Sequence, residues 1–271
     1  MLSDIKLGQY FPGKSIIHNI DPRVKILLTM AIVIMVFIGQ NYAALAFLIL
    51  LAIFIMAISK IPLKMYFKSM KVILFVILFT SVLNLFYGKG NIIFKLGFLN
   101  ITEGGINNSI FIAARLFTMI FISSALTFTT SPTDLTDALE KILSPLKIFK
   151  VKVHELAMMM TIALRFVPTL LEETDKITSA QKARGADPES GSALQRAKAL
   201  IPILIPLFIS SFRRAYELSI AMECRCYQGG ENRTRMKVLQ IKMNDFIAIA
   251  LVLMVCSALV ACNFIFPAVI I

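Results

Sequence analysis

The residues of this sequence that could carry out chemistry are few and poorly grouped. There are two histidines, His18 and His154, and neither has the two-histidine spacing of a metal site. Cys224 and Cys226 are separated by one residue and have no nearby histidine, so they lack the tetrahedral ligand set that zinc requires. No cluster of nucleophile, acid and base accompanies them. The sequence therefore predicts a non-enzymatic protein with no metal or other cofactor.

One stretch near the N-terminus formally matches a nucleotide-binding loop. Gly8 is followed, after four residues, by Gly13-Lys14-Ser15. Such a loop needs a strand before it and a helix after it, so that backbone amides converge on phosphate. Only seven residues precede Gly8, Pro12 removes one amide, and Pro22 interrupts the chain soon afterwards. We therefore expect no nucleotide to bind here.

The composition predicts an integral membrane protein. The chain has 271 residues, of which 58% are hydrophobic, and its mean hydropathy is +0.79. Soluble domains contain about 45–50% apolar residues, so a water-soluble fold could not bury this much apolar surface. The net charge of +12 lies in blocks between apolar runs. That pattern indicates loops beside anionic lipid and argues against a nucleic-acid partner.

The apolar runs predict an all-α membrane protein with about five transmembrane helices and three cytosolic or interfacial coupling helices. The predicted spans are Ile26–Ile38, Tyr42–Ile58, Val72–Phe86, Ile106–Phe128 and Phe246–Ile271. Three domains follow: a four-span membrane domain over 1–130, coupling helices over 131–242, and a C-terminal transmembrane helix over 243–271. If coupling helices also cross the bilayer as a pair, the count rises to seven.

Basic residues predict the orientation of these spans. Between Ser131 and Lys242 there are 17 lysines and arginines, whereas the loop from Tyr87 to Gly105 contains two lysines. Because cytosolic loops are enriched in Lys and Arg, the first segment is predicted to be cytosolic and the second external. The N-terminus is then cytosolic and the C-terminus external, as in a multi-pass protein of the cell membrane.

The coupling segment contains three predicted helices. The first starts with Ser131 as N-cap and Pro132 at the first helical position. The second covers about 151–183, and the third about 192–227. The apolar middle of the third, 199–212, has 14 residues and contains two prolines. This length is short for a span and favours an interfacial segment.

Three arginines stand out by position. Arg115 is a cation inside the fourth span, where it makes either a structural polar contact or a direct functional one. Arg184 and Arg225 lie at the C-terminal ends of two predicted helices. Cations are common there because they offset the helix dipole, and Gly185 is typical of a helix C-cap. By themselves these positions do not show whether the two arginines cap their own helices or bind a partner protein.

Several short motifs together resemble those of one family. The N-terminal motif comprises Gly8-Gln9-Tyr10, Gly13-Lys14-Ser15, His18 and Asp21-Pro22-Arg23-Val24-Lys25. Further motifs are Ala163-Leu164-Arg165-Phe166-Val167-Pro168, Ala180-Gln181-Lys182-Ala183-Arg184-Gly185 and Ala221-Met222-Glu223-Cys224-Arg225-Cys226-Tyr227. Over nearly its whole length the sequence resembles the transmembrane coupling proteins of energy-coupling factor (ECF) transporters, the CbiQ-related EcfT family.

The resemblance implies a non-catalytic subunit that links ATP hydrolysis to uptake of a vitamin or metal. Such proteins bind two ABC-type cytosolic ATPase subunits, which hold the ATP, and a small membrane substrate-binding subunit. The implied ATPase-docking residues are Ala183, Arg184, Gly185, Cys224, Arg225 and Cys226. Cysteines replace the Ala and Gly expected beside Arg225, so the close packing that a glycine allows is in question at Cys226.

An adaptable apolar surface for the substrate-binding subunit is predicted at four methionines, whose flexible side chains can repack against a partner. They are Met158, Met159, Met160 and Met222. The residues alone leave two other classes. One is a membrane enzyme, for which the sequence shows no catalytic cluster, and the other is a secondary transporter with its own substrate site. The polar groups available to it at depth would be Arg115 and amides such as Asn84 and Asn263.

Overall fold

The structure is a computed structural model that describes residues 10–86, 92–96, 99–185, 192–230 and 239–265. Over these residues the chain forms eight α-helices: α1 (Pro22–Ile38), α2 (Tyr42–Ser59), α3 (Leu63–Phe86), α4 (Glu103–Thr129), α5 (Pro132–Ile142), α6 (Val153–Ala183), α7 (Ala193–Cys224) and α8 (Met243–Ile265). A 3-10 helix, Ser144–Phe149, lies between α5 and α6. Two antiparallel strands, β1 (Ile92–Leu96) and β2 (Leu99–Thr102), form a hairpin between α3 and α4. Apart from this hairpin, the predicted all-α class is confirmed.

Five helices within the described residues are long and apolar enough to cross a membrane: α2, α4, α6, α7 and α8. A sixth follows if the two segments of α3, which are bent by 58° relative to each other, form one span. A multi-pass membrane protein with about five such helices is thus confirmed. The five candidate helices are not the same five that the sequence predicted. Helix α1, a predicted span, has 17 residues, one fewer than α2, and is too short to be counted among them. Helices α6 and α7, expected in the cytosol or at the interface, are the least apolar of the five.

The described chain divides into two compact units, a first unit of residues 10–135 with 239–265 and a second unit of residues 136–230. In the first unit, α1, α2, α3, α4 and α8 enclose one apolar core. Tyr66 and Phe128 lie fully buried there, in an edge-to-face contact with ring centroids 5.2 Å apart. The Tyr66 hydroxyl shares a hydrogen bond of 3.1 Å with Ser59. That bond satisfies the polar end of a buried aromatic ring.

Buried polar groups join three helix ends in the first unit. Asp245, fully buried at the start of α8, accepts hydrogen bonds from the backbone N–H groups of Asp21 at 2.8 Å and Lys242 at 2.6 Å. The ammonium of Lys25 in α1 donates to the carbonyl of Thr129 at the end of α4 at 3.0 Å. Burial lowers the pKa of Lys25 to about 8, although nearby carboxylates oppose this shift. The N-terminal motif thus serves to hold helices together.

The second unit consists of most of α5, the 3-10 helix, α6 and α7. As predicted, α5 begins at Pro132 behind Ser131, whose hydroxyl accepts a hydrogen bond of 3.1 Å from the N–H of Asp134. At the other end of α5, Glu140 contacts His154 at the start of α6, with 3.1 Å between Oε1 and Nδ1. This contact joins α5 to the first turn of α6.

Candidate docking site

The first predicted docking motif forms the C-terminal cap of α6. The backbone N–H of Arg184 donates to the carbonyls of Ala180 and Gln181, at 3.3 and 3.1 Å. The next N–H, that of Gly185, donates to Lys182 at 3.0 Å. Gly185 has φ of +88°, the left-handed conformation that glycine adopts without a Cβ penalty. The chain therefore leaves the helical conformation directly after the exposed Arg184.

The second motif ends α7 with similar geometry although its glycine is replaced. The N–H of Arg225 donates to the carbonyl of Met222 at 3.1 Å, and that of Cys226 donates to Glu223 at 2.8 Å. Cys226 has φ of +54°, so it takes the left-handed position that Gly185 takes in the first motif. A residue with a Cβ pays roughly 1–2 kcal/mol for this conformation. The turn is therefore made at some cost in strain, and Cys224 and Cys226 are both exposed free thiols.

Both motif arginines are available to a partner. The side chains of Arg184 and Arg225 are exposed, as is Ala183. Within the described residues, neither guanidinium makes a hydrogen bond or an ion pair. An arginine that only capped its own helix would be expected to contact the final carbonyls. Both of these guanidinium groups instead lie exposed at the surface of the chain.

A polar bridge ties α6 to α7. One carboxylate oxygen of Glu173 accepts a hydrogen bond of 2.8 Å from Arg214, and the other accepts one from the hydroxyl of Ser210. Sequence reasoning missed this bridge. The only available signal was an acidic residue in one helix and a basic residue in the next. The positions of these two residues in the sequence do not show that their side chains face each other. The bridge fixes which faces of the two helices meet.

A groove of about 400 Å³ lies along the same pair of helices, lined by Ile162, Phe166, Ser211, Ala215, Leu218, Ser219, Met222, Glu223 and Tyr227. The end of α7 thus lies beside Ile162 and Phe166, whereas Ser210 lies beside Glu173, so the helices run antiparallel. Arg184 follows Ile162 by 22 residues along α6. At 1.5 Å per residue, the two motif arginines are roughly 30 Å apart along the pair.

The four predicted methionines do not share one surface. Met158, Met159 and Met160 are consecutive in α6, so the helix directs them about 100° apart. Met159 and Met160 are exposed, Met158 and Met222 are half-buried, and of the four only Met222 lines the groove. The four methionines were grouped by residue type, but the helix geometry places them on different faces.

Arg115 makes contacts within the first unit. Its guanidinium donates a hydrogen bond of 2.6 Å to the carbonyl of Gly39, in the turn between α1 and α2. It also lies over the ring of Phe111, with the guanidinium carbon 4.8 Å from the ring centroid. These contacts join α4 to the α1–α2 turn, as expected of a structural polar contact.

The formal nucleotide-binding match forms a different structure from a phosphate loop, with Gly8 lying outside the described residues. A turn follows Gly13-Lys14-Ser15, and the next helix begins only at Pro22. The buried hydroxyl of Ser15 shares a hydrogen bond of 2.7 Å with the ring of His18, which also contacts the carbonyl of Phe11 at 2.9 Å. Ser15 and His18 therefore stabilise the turn.

With this geometry in hand, comparison with known proteins defines the class. The family model described as "Cobalt transport protein" (CbiQ) matches residues 13–236. A protein of Ruminiclostridium cellulolyticum named energy-coupling factor transporter transmembrane protein EcfT is 50% identical over 266 residues, which cover 98% of this chain and 100% of the relative. The chain is thus similar to a membrane component of a transporter.

Two further relatives carry the same name. That of Clostridium kluyveri is 50% identical over 263 residues, 96% of this chain and 97% of the relative. That of Bacillus subtilis is 46% identical over 240 residues, 88% of this chain and 91% of the relative. The chain belongs to the EcfT family, the transmembrane components of energy-coupling factor transporters. It is a non-catalytic transporter subunit that carries no cofactor of its own.

Proposed function

We propose that the chain docks two cytosolic ABC-type ATPase subunits through the C-terminal ends of α6 and α7, one subunit at each end. The α6–α7 pair passes their movement to a small membrane subunit that binds a vitamin or a metal ion. Membership of the EcfT family supports the coupling role. Because the partner subunits bind the ATP, this chain contributes contact surfaces and rigidity.

The shared geometry of the two helix ends carries the proposal. Arg184 and Arg225 each stand directly before a left-handed residue, exposed and without a partner in the described chain. A guanidinium is a planar, permanently charged fork that binds a carboxylate through two parallel hydrogen bonds. The two similar helix ends are roughly 30 Å apart by helix rise. Two separate sites of this kind are better suited to binding two copies of one ATPase than a single continuous surface would be.

The bridge between α6 and α7 supplies the mechanical link. Glu173 holds Arg214 and Ser210 of the neighbouring helix between the two docking ends. Displacement of one end by an ATPase therefore moves both helices rather than sliding one past the other. The groove beside Met222 and the exposed Met159 and Met160 offer apolar surface to the substrate-binding subunit.

Removal of the two arginines tests the docking. The chain would be co-expressed with its ATPase and substrate-binding subunits, and ATPase capture and substrate uptake would be measured for Arg184→Ala, Arg225→Ala and the double variant. Loss of one arginine leaves a partner carboxylate unpaired, which costs about 2–5 kcal/mol in analogous interfaces. We expect milder single effects, because the remaining arm still tethers the ATPase pair, and no uptake by the double variant.

Matched variants make this test specific. Arg213 is an exposed arginine inside α7, so Arg213→Ala controls for the loss of one positive charge and should leave uptake unchanged. Lysine at 184 or 225 should rescue poorly, since it lacks the planar fork. Arg184→Ala should weaken capture more than Arg225→Ala, because the strained Cys226 turn holds its arginine less firmly. Normal uptake by the double variant would refute docking through these arginines.

We further propose that residues 131–242 and the N-terminus are cytosolic and that the C-terminus is external. The 17 basic residues of that segment support this orientation. With it goes a proposed division of the chain into domains over 1–130, 131–242 and 243–271. In a cysteine-free background, single cysteines at Asn91 and Ser190 would be treated with a membrane-impermeant thiol reagent. The first should react from outside and the second only after the membrane is opened. Reaction at Ser190 from outside would refute the topology.

A further inference from the structure

The turn between α5 and α6 presents large apolar side chains at the surface of the second unit. Ile148 is 84% exposed and Phe149 is 80% exposed, at the end of the 3-10 helix. Leu143 and Leu146 are also exposed, a few residues earlier. We call residues 143–150 the apolar tip. Side chains of this size are normally buried, and an exposed group of them indicates an interaction surface.

Lysines lie within and just before the apolar tip, and no acidic residue lies among them. Lys141, Lys147 and Lys150 are exposed, and residues 141–154 contain neither Asp nor Glu. The nearest downstream acid, Glu155, is paired with Lys152 at 3.2 Å. Among the described residues, Lys141, Lys147 and Lys150 have no acidic partner. The tip therefore combines bare apolar surface with uncompensated positive charge.

The backbone holds the apolar tip in a defined shape. The N–H of Lys150 donates to the carbonyl of Lys147 at 2.9 Å, and Lys150 has φ of +60°. This closed turn keeps Ile148 and Phe149 adjacent and exposed. The tip is also close in sequence to the membrane, since α5 begins three residues after α4 ends and is 11 residues long. A helix of that length spans about 16 Å, so the chain can bring the tip to the bilayer surface.

We propose that the apolar tip inserts into the headgroup region of an anionic lipid bilayer. Its four apolar side chains enter the boundary of the acyl chains, and the lysines extend along the surface to lipid phosphates, as amphipathic lysines do at interfaces. A protein partner would have to supply a separate carboxylate for each lysine, whereas an anionic leaflet presents phosphates around the whole tip. The proposal is independent of ATPase docking, because it uses none of the docking residues.

The absence of tryptophan from the sequence provides a direct test. Phe149→Trp, at an exposed site, introduces a single tryptophan into the full chain, which is then placed in lipid nanodiscs. Lipids brominated near the glycerol end of their chains should quench this tryptophan at least about twofold more than lipids brominated near the methyl end. The matched control is Phe79→Trp on the candidate membrane helix α3, for which the near-methyl bromines should quench at least as strongly.

Charge dependence gives the second readout. In the Phe149→Trp chain, quenching by near-glycerol bromines should rise with the anionic lipid fraction, since each lysine contributes roughly fivefold to partitioning on an anionic surface. Adding Lys147→Gln and Lys150→Gln should remove most of that rise. Strong quenching by aqueous acrylamide with none by brominated lipid would show that the tip faces water and would overturn the proposal. Protection from both quenchers would mean that protein covers the tip and would overturn it equally.

Discussion

Breaking the ion pair between Glu173 and Arg214 should loosen α6 from α7 while leaving both helices folded. The perturbation is a double-mutant cycle of Glu173→Gln and Arg214→Gln, which removes each charge. The first change keeps the size of the side chain, and the second also shortens it. At 2.8 Å, two unit charges attract by about 1.5 kcal/mol in a medium as polar as water. The side chains are 22% and 37% exposed, and holding them in one geometry costs entropy, so we expect a net coupling of about 1 kcal/mol.

The assay is the free energy of unfolding of the purified chain in mixed micelles, measured for the parent, both single variants and the double. The neighbouring Arg213 is exposed and has no contact with Glu173, so a cycle of Glu173→Gln with Arg213→Gln is the matched control and should show no coupling. In the complex, Glu173→Gln with Arg214→Gln should lower uptake while ATPase capture persists. A Glu173–Arg214 coupling energy indistinguishable from zero would refute the view that this bridge joins the helices.

Three further predictions follow from single positions. Cys226→Gly should relieve the left-handed strain and raise the free energy of unfolding by about 0.5–1 kcal/mol, whereas Gly185→Ala should lower it by about 1 kcal/mol; equal effects of both changes would contradict this. Burial lowers the pKa of Lys25 to about 8 from 10.5, so the unfolded chain binds more protons between these values, and the free energy of unfolding should rise with pH across that window by up to about 3 kcal/mol. Lys25→Met should abolish this rise. If the variant kept the pH profile of the parent, Lys25 would not be the group responsible. Lys14→Ala should leave nucleotide binding by the complex unchanged, because the Gly13–Ser15 turn lacks the geometry of a phosphate loop, and loss of nucleotide binding with assembly intact would contradict that.

Several features of the fold could be predicted because they depend on local sequence. The start of α5 follows from Ser131 and Pro132, and the end of α6 follows from Gly185, whose left-handed conformation closes the helix. The bounds of the long helices were predicted within a few residues: 151–183 against Val153–Ala183, and 192–227 against Ala193–Cys224. Capping and turn preferences act over a few residues, so they can be recognised without knowledge of the tertiary fold.

The left-handed conformation of Cys226 lay beyond such local reasoning. A cysteine has no preference for φ above zero, so the residue type gave no indication that it would occupy the position of a glycine. The backbone hydrogen bonds from Cys226 to Glu223 and from Tyr227 to Met222 close the turn, although a cysteine favours φ below zero. Here the geometry of a helix end overrides the propensity of one side chain.

The sequence alone determined that this chain is an all-α membrane protein, through its composition, charge and apolar runs, and its motifs placed it in a coupling family with two arginines at predicted helix ends. The exposure of these arginines follows only from the tertiary structure. Which helices meet, and through which side chains, was determined by the tertiary structure. Asp21 and Asp245 are 224 positions apart in the chain, yet they join α1 to α8. Hydrophobic periodicity identifies the face that a helix buries but not the neighbour that it meets. That choice depends on the packing of whole helices, which brings Glu173 to Arg214 and Lys25 to Thr129.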